Sequence, residues 1–134
     1  MSDVPTVREF MDKTFITLHP EMDVYKAIDI LLANKITGAA VVDEREKLVG
    51  VLSEKDCLQT LVHGLYSSLP GGQVRDYMTR KVTTISPELD VFTTADLFLK
   101  NTFRRLLVVE DDKLVGQITR RDLLRVIQKI KATQ

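Results

Sequence analysis

Apolar residues recur at helical spacing in two segments of the chain, one beginning at Val24 and the other at Val91. An aspartate directly before each segment can accept hydrogen bonds from the first backbone N–H groups of a helix. An asparagine stands where each apolar pattern stops. The sequence therefore predicts two helices, which we expect to be capped by Asp23 and Asp90 and to end at Asn34 and Asn101.

Apolar and β-branched runs outside those helices predict strands. The runs Gly38 to Asp43 and Arg105 to Glu110 are nearly continuous, which is typical of strands buried on both faces. Short polar turns follow them, so the next strands, Leu48 to Ser53 and Leu114 to Thr119, should pair antiparallel as hairpins. Each of these next strands contains a glycine, which often marks a bulge or a close backbone approach. A further short strand is predicted before each helix, at Thr14 to Leu18 and Lys81 to Ile85.

The predicted elements occur twice because the chain repeats itself. Val7-Arg8-Glu9-Phe10-Met11 returns as Val74-Arg75-Asp76-Tyr77-Met78, an offset of 67 (74 − 7). Past one deletion, Leu48-Val49-Gly50 returns as Leu114-Val115-Gly116, an offset of 66 (114 − 48). Because a solenoid needs about three stacked units or more, we expect two like halves that bury their apolar faces on each other.

The chain of 134 residues suits one compact fold. Each half alone would bury too little surface, so we expect the halves to fold together. We assign residues 1–66 to a first repeat with an N-terminal segment, 67–73 to a linker, and 74–134 to a second repeat.

Composition and charge exclude several classes of protein. The formal net charge is zero, which argues against broad binding of nucleic acid or of anionic membranes. One cysteine and two histidines cannot alone supply a four-ligand zinc site. The sequence has no signal-peptide pattern and no apolar run near the ~20 residues of a membrane span. We therefore expect a cytoplasmic protein, and we find no set of side chains that would make it an enzyme.

The strongest local motif is a hydroxyl residue at the end of a strand, followed three residues later by a carboxylate. It occurs as Ser53 with Asp56 and again as Thr119 with Asp122. One interpretation is a capping box, which satisfies the first N–H groups of a helix, and the residues alone favour it. The other is a nucleotide site, in which the helix N-terminus attracts an anion and the carboxylate accepts hydrogen bonds from ribose hydroxyls.

The ordered set of motifs resembles a tandem pair of cystathionine β-synthase (CBS) domains, a Bateman module. The resemblance extends from Val4 to Lys131. It rests on the Thr-x-x-Pro segments beginning at Thr17 and Thr84, on apolar strands ending Val-Val-Asp/Glu, and on Leu-Val-Gly-x-hydrophobic-Ser/Thr-x-x-Asp. It implies an α+β (α/β-like) fold of two βαββα repeats packed about a pseudo-twofold axis.

The resemblance also implies an adenosine ligand in the clefts between the repeats. The hydroxyl–acid pairs would contact ribose and phosphate, the loops at the Thr-x-x-Pro segments would contact adenine, and nearby basic residues would contact phosphate. We expect no catalytic residue and no metal ligand. The expected ligand-binding residues are Thr17, Ser53, Lys55, Asp56, Thr84, Arg104, Arg105, Thr119, Arg121 and Asp122.

The two halves differ in charge near these motifs. Arg104 and Arg105 stand where the first half has Thr37 and Gly38. They are either solvated residues at the strand entrance or phosphate ligands, for which a guanidinium is well suited. Since neighbours on a strand point to opposite faces, at most one of them should face a given cleft.

We also expect a helix to begin after each hairpin, at Ser53 and at Thr119. Two further arginines, Arg120 and Arg121, lie in the first turn of the helix at Thr119, where cations oppose the helix dipole and invite an anion. Exposure to solvent is the simpler interpretation for Arg120. We therefore expect the site around Thr119 and Asp122 to bind a phosphorylated adenosine more tightly than the first-half site, where Lys55 is the main cation. The less charged first site would suit a neutral adenosyl compound such as S-adenosylmethionine.

The preferred function is a stand-alone regulatory module that requires no cofactor and binds AMP, ADP or ATP, with AMP favoured, as a regulatory ligand. Binding would shift the population of conformations. An unidentified partner protein or the interface of a homodimer would respond to that shift. The alternatives are an interaction module without a nucleotide and a sensor of S-adenosylmethionine type.

Overall fold

The computed structural model describes residues 4–63 and 71–133, without the side chain of His63. Residues 67–70 of the predicted linker lie outside the described residues. The helices and strands are α1 (Val7–Phe10), β1 (Thr17–Leu18), α2 (Val24–Ala33), β2 (Gly38–Val42), β3 (Leu48–Ser53), α3 (Glu54–His63), α4 (Val74–Tyr77), β4 (Thr84–Ile85), α5 (Val91–Lys100), β5 (Arg105–Glu110), β6 (Lys113–Thr119) and α6 (Arg120–Ala132).

The strands form two three-stranded sheets, in the orders β1-β2-β3 and β4-β5-β6. In each sheet the first pair is parallel and the second pair is an antiparallel hairpin. This confirms the predicted hairpins and the βαββα order of each repeat. Strands β1 and β4 are shorter than predicted, since only two residues of each pair with the neighbouring strand.

The predicted helix caps are confirmed. Asp23 accepts a hydrogen bond from the backbone N–H of Lys26, and Asp90 accepts one from that of Thr93. Because the hydrogen bonds from the backbone N–H and the hydroxyl of Thr93 favour the charged carboxylate, they lower the pKa of Asp90. None of the helices in the described part of the chain is both long enough and apolar enough to cross a membrane.

The described residues form two compact units that do not coincide with the sequence repeats 1–66 and 74–134. The first unit contains residues 16–63 and 71–82, and the second contains residues 4–15 and 83–133. Helix α1 thus belongs to the unit built on β4-β5-β6, where Val7 is fully buried in the core. Helix α4 belongs to the unit built on β1-β2-β3, where Val74 is fully buried. The N-terminal segments of the two repeats are exchanged.

Each exchanged segment also pairs with the free edge of a hairpin. In the second unit, the N–H of Asp12 donates to the carbonyl of Gln117 at 2.7 Å, and the N–H of Gln117 donates back at 3.0 Å. In the first unit, Thr79 and Val51 exchange the equivalent hydrogen bonds, both at 2.9 Å. Each segment therefore satisfies backbone groups that the edge strand would otherwise leave unpaired.

Both repeated glycines of the Leu-Val-Gly motif lie beneath an exchanged segment. A β-carbon on Gly116 would lie 2.6 Å from the sulfur of Met11, and one on Gly50 would lie 2.8 Å from the carbonyl oxygen of Thr79. The strand register also shifts beside each glycine. The close backbone approach and the bulge that the sequence predicted are therefore both present.

Candidate functional site

The hydroxyl–acid motif of the second unit begins α6. The Oδ2 atom of Asp122 accepts hydrogen bonds from the backbone N–H of Thr119 at 2.9 Å and from its hydroxyl at 3.0 Å. The Thr119 hydroxyl in turn accepts from the Asp122 N–H at 3.4 Å. The capping box is thus present, and it holds the carboxylate of Asp122 in a fixed orientation. Asp122 is buried, with only 8% of the residue exposed.

The other oxygen of this carboxylate binds a cation that was not predicted from the sequence. The guanidinium of Arg125 donates from Nη1 to Asp122 Oδ1 at 2.7 Å. Residues three apart lie on the same side of a helix, so the spacing was the available signal. Both oxygens of Asp122 are therefore engaged within the protein.

A pocket of about 490 Å³ opens beside this carboxylate in the second unit. Its volume lies within the roughly 300–1,000 Å³ of small-molecule sites. The lining combines two carboxylates, two guanidiniums, a hydroxyl and an amide with two apolar side chains. The lining residues are Phe10, Met11, Asp12, Gln117, Thr119, Arg121, Asp122 and Arg125. Three of the predicted ligand-binding residues, Thr119, Arg121 and Asp122, are thus brought together.

Strand pairing places two other predicted residues on the same sheet face as Thr119. Arg105 lies directly opposite Thr119, and Thr84 lies opposite Leu107, which pairs with Gln117. Residues directly opposite each other project from one face. Neither Arg105 nor Thr84 lines the pocket, however. Burial lowers the pKa of Arg105, and the like charge of Arg104 lowers it further.

The other three arginines considered from the sequence have different surroundings. Arg104 precedes β5 and is exposed, so only Arg105 lies in the strand. Arg120 is exposed, and its guanidinium donates a hydrogen bond to the backbone carbonyl of Phe103 at 3.1 Å. Arg121 is exposed and forms no hydrogen bond or ion pair with any residue that the structure describes. Of these three, Arg121 is the one that lines the pocket.

The equivalent motif of the first unit carries less charge. Asp56 Oδ2 accepts from the N–H and from the hydroxyl of Ser53, both at 2.9 Å, and the Asp56 N–H donates back at 3.1 Å. The hydroxyl of Thr79 donates to Asp56 Oδ1 at 3.2 Å. Gly38 pairs opposite Ser53, where the second unit has an arginine. The carboxylate of Asp56 is thus held by neutral groups.

Two other predicted residues of the first unit are exposed. Lys55 lies in the first turn of α3, and Thr17 pairs with Ala40 at the edge of the sheet. Cys57, one residue beyond the acid, is buried. Its burial raises the pKa of the thiol, and the charge of Asp56 raises it further. Since the thiolate is the reactive form, this cysteine is an inert core residue.

Two pocket residues, Asp12 and Gln117, were not predicted from the sequence. Gln117 precedes Thr119 by two positions on β6, so strand alternation alone would have placed both side chains on one face. Asp12 had no comparable signal, because it comes from the N-terminal segment of the other repeat. Its Oδ1 accepts from the N–H and the hydroxyl of Thr14, at 2.9 and 2.8 Å.

Comparison with protein families decides what this repeated arrangement is. The model of the CBS domain matches residues 7–63 and again residues 74–129. The chain belongs to the CBS domain family. The tandem CBS pair and its α+β fold, both predicted from the repeated motifs, are confirmed.

Solved structures of other CBS pairs superpose on this one over nearly their whole length. CBSX2 of Arabidopsis thaliana, crystallised in complex with AMP, is 34% identical with a TM-score of 0.81, over 94% of this chain and 98% of its own. The CBS pair of protein MJ0100, crystallised with 5′-methylthioadenosine and S-adenosyl-L-methionine, is 27% identical with a TM-score of 0.74, over 94% and 98%.

Some relatives of this CBS pair are longer proteins. The uncharacterized protein MJ1225 of Methanocaldococcus jannaschii is 31% identical over 90% of this chain. The chain spans 42% of the length of that relative.

Proposed function

We propose that this CBS pair is a regulatory module that binds an adenosine nucleotide at the pocket beside Asp122. The observation that carries the proposal is a carboxylate fixed by Thr119 at the wall of a pocket that also holds two guanidiniums. A carboxylate accepts hydrogen bonds from vicinal hydroxyls, and guanidiniums bind phosphate. Vicinal hydroxyls and a phosphate are both present in a ribose 5′-phosphate.

The nature of the ligand follows from the charges in the second unit. Arg121 lacks a partner among the described residues and lines the pocket. Arg105, on the sheet face that carries Thr119, supplies a second cation nearby. AMP is the proposed ligand, and its presence in the structure of CBSX2 supports this choice. We further propose that Thr84, on the same sheet face, contributes to the adenine contact. A phosphate contact of Arg104, which is exposed and precedes β5, stays a prediction from the sequence.

A second candidate ligand arises at the Ser53–Asp56 motif. Since Gly38 replaces the sheet arginine there and a neutral hydroxyl holds Asp56, this site favours a neutral or cationic adenosyl compound. The MJ0100 pair, crystallised with S-adenosyl-L-methionine and 5′-methylthioadenosine, supports this assignment. Thr17 and Lys55 are proposed to complete this site.

The proposed output is regulatory. A ligand that prefers one conformation of the module shifts its population by that difference in affinity. A partner protein then responds to the favoured conformation. The existence of such a partner and the cytoplasmic location stay predictions from the sequence.

Replacing Asp122 by alanine should weaken AMP binding by about 1.5–3 kcal/mol, because a hydrogen-bonded charged acceptor is lost. Isothermal titration calorimetry with AMP on the wild-type chain and the variant measures this directly. Asp56→Ala is the matched control, since it removes an equivalent capping box from the other unit. We expect the control to retain the tighter AMP site.

An Asp122→Ala protein that binds AMP like the wild type would refute the assigned site. If no adenosine compound binds to the wild-type chain, the two hydroxyl–acid motifs are helix caps only, and the module functions through protein contacts alone.

We also propose that the chain forms a homodimer through the last helix of each repeat. Helix α3 exposes Leu58, Leu61 and Val62, and α6 exposes Leu124 and Ile127 at the positions equivalent to the first two, each residue being between 58% and 62% exposed. The three residues of α3 fall on one helical face. Covering these apolar stripes with a second copy of the chain would remove them from water.

Replacing Leu58 and Leu61 together by lysine should convert the dimer to a monomer, because burial of two charges in the interface is unfavourable. Light scattering coupled to gel filtration measures the mass. Phe92→Lys is the control, since Phe92 is a 60% exposed residue of α5 outside these stripes. A double variant that remains a dimer excludes this interface.

A further inference from the structure

The carboxylate oxygen that a ribose would need is already bound by the protein. Asp122 Oδ2 accepts two hydrogen bonds from Thr119, and Oδ1 accepts the short hydrogen bond from Arg125. A ligand whose hydroxyls bind this carboxylate must therefore compete with the guanidinium of Arg125. Releasing that guanidinium costs the charge-assisted hydrogen bond unless another anion replaces it.

The pocket provides a place where that replacement can occur. Arg121 and Arg125 are four residues apart on α6, so they are neighbours on one side of the helix. Both line the pocket, and 60% of the Arg125 side chain is exposed and able to turn. A phosphate beside Arg121 would lie close enough to accept hydrogen bonds from Arg125 as well.

Asp12 strengthens the requirement for both arginines. Its carboxylate lines the same pocket and adds a second negative charge to that of Asp122. A phosphate placed in this pocket is repelled by these two carboxylates. It is held only where both guanidiniums offset them.

We propose that Arg125 is a specificity-determining residue. When a nucleotide binds, the guanidinium of Arg125 moves from Asp122 to the phosphate of the ligand, and this site therefore selects phosphorylated over unphosphorylated adenosine compounds. This inference rests on the proposed adenosine site. A nucleoside must break the Arg125–Asp122 pair without compensation, whereas a nucleotide supplies a new anionic partner.

The other repeat has no arginine at the position equivalent to Arg125. Gln59 occupies the position of Arg125, at an offset of 66 (125 − 59). Among the described residues, Asp56 Oδ1 accepts a hydrogen bond only from the Thr79 hydroxyl, which can rotate away when a ribose binds. Selection for phosphate by this exchange is therefore confined to the second unit.

The test is the variant Arg125→Gln, which gives the second unit the residue of the first. Calorimetric titrations with AMP and with adenosine are made on the full chain. Adenosine affinity should rise about twofold to fivefold, because the competing ion pair is gone. AMP affinity should fall about tenfold, because a charge-assisted phosphate contact is lost. The preference for AMP over adenosine therefore falls at least about twentyfold, the product of these changes.

Lys131→Gln is the matched control, because it removes one positive charge from the same helix at a residue that does not line the pocket. We expect it to leave the AMP-to-adenosine ratio unchanged. If AMP and adenosine affinities fall together in Arg125→Gln, or if neither changes, Arg125 does not set this selectivity and the inference is overturned. A wild-type chain that binds neither compound overturns the proposed function itself.

Discussion

A chain that lacks residues 1–12 should lose its protection from hydrogen exchange in β5, β6 and α6, while β2 and β3 retain theirs. The reason is the exchange of segments between the repeats. Val7 is fully buried and Met11 is 9% exposed, and both pack in the core of the unit formed by β4-β5-β6 and α6. Removing them opens the core of the second unit, although they belong to the first repeat in sequence.

Several polar contacts are lost with the same deletion. The N–H groups of Val7 and Arg8 donate to the carbonyls of Leu89 and Pro87, each at 2.9 Å. The guanidinium of Arg8 binds the carboxylates of Glu88 and Glu110. These ion pairs are exposed and add little stability, so the buried apolar residues dominate the expected effect.

Val7→Ala is the milder variant and has a matched control. Shortening a fully buried valine should cost about 1–3 kcal/mol. Hydrogen exchange should place that loss in the second unit for Val7→Ala and in the first unit for Val74→Ala, which is equally buried in the other core. Protection lost from β2 and β3 in Val7→Ala would contradict the segment exchange.

Replacing Gly50 by alanine should destabilise the chain by about 1–3 kcal/mol, the usual cost of an overpacked core. The new β-carbon would lie 2.8 Å from the carbonyl oxygen of Thr79 and 2.9 Å from the sulfur of Met78. The Thr79 carbonyl accepts the hydrogen bond of Val51 in the edge pairing, so it cannot move without breaking that bond. Urea denaturation measures the change in the free energy of unfolding.

Gly116 offers a comparison that separates side-chain from backbone crowding. A β-carbon there meets the Met11 side chain at 2.6 Å, but the nearest backbone oxygen, that of Asp12, is 3.2 Å away. In double-mutant cycles, Met11→Ala should therefore relieve much of the cost of Gly116→Ala, whereas Met78→Ala should relieve little of the cost of Gly50→Ala. Equal relief in the two cycles would contradict this account.

Much of each repeat could be predicted from local patterns. The hairpin strands, the aspartate caps at Asp23 and Asp90, and the hydroxyl–acid capping boxes all depend on residues close together in sequence. The short helices α1 and α4 were not predicted, although their sequences form the clearest copy of the repeat. Each is a single turn that is stabilised by packing rather than by its own propensity, so its sequence carries no helical period.

The candidate site was only partly predictable. Thr119, Asp122 and Arg121 share one motif at the start of a helix, and their proximity follows from that motif. Arg105 could be placed beside Thr119 once β5 and β6 pair, but Asp12 could not, because it is 105 positions away from Gln117 (117 − 12) and reaches it only through the exchange. The charge of the pocket therefore depends on a contact that no local pattern indicates.

By itself, the sequence determined that this chain is a doubled βαββα unit of the CBS family, with a carboxylate in the helix-capping box of each repeat. Periodicity, capping and turns are local effects, and duplication copies them faithfully. Only the tertiary structure decided which core each short helix enters, since nearly identical Val-Arg-x-aromatic-Met segments fit either one. It also decided that Thr79, from an exchanged segment, binds Asp56. The partner of Asp122, in contrast, is Arg125, three residues further along the same helix. A contact within one helix follows from local spacing, whereas a contact with an exchanged segment exists only after the chain has folded, and there the two repeats differ.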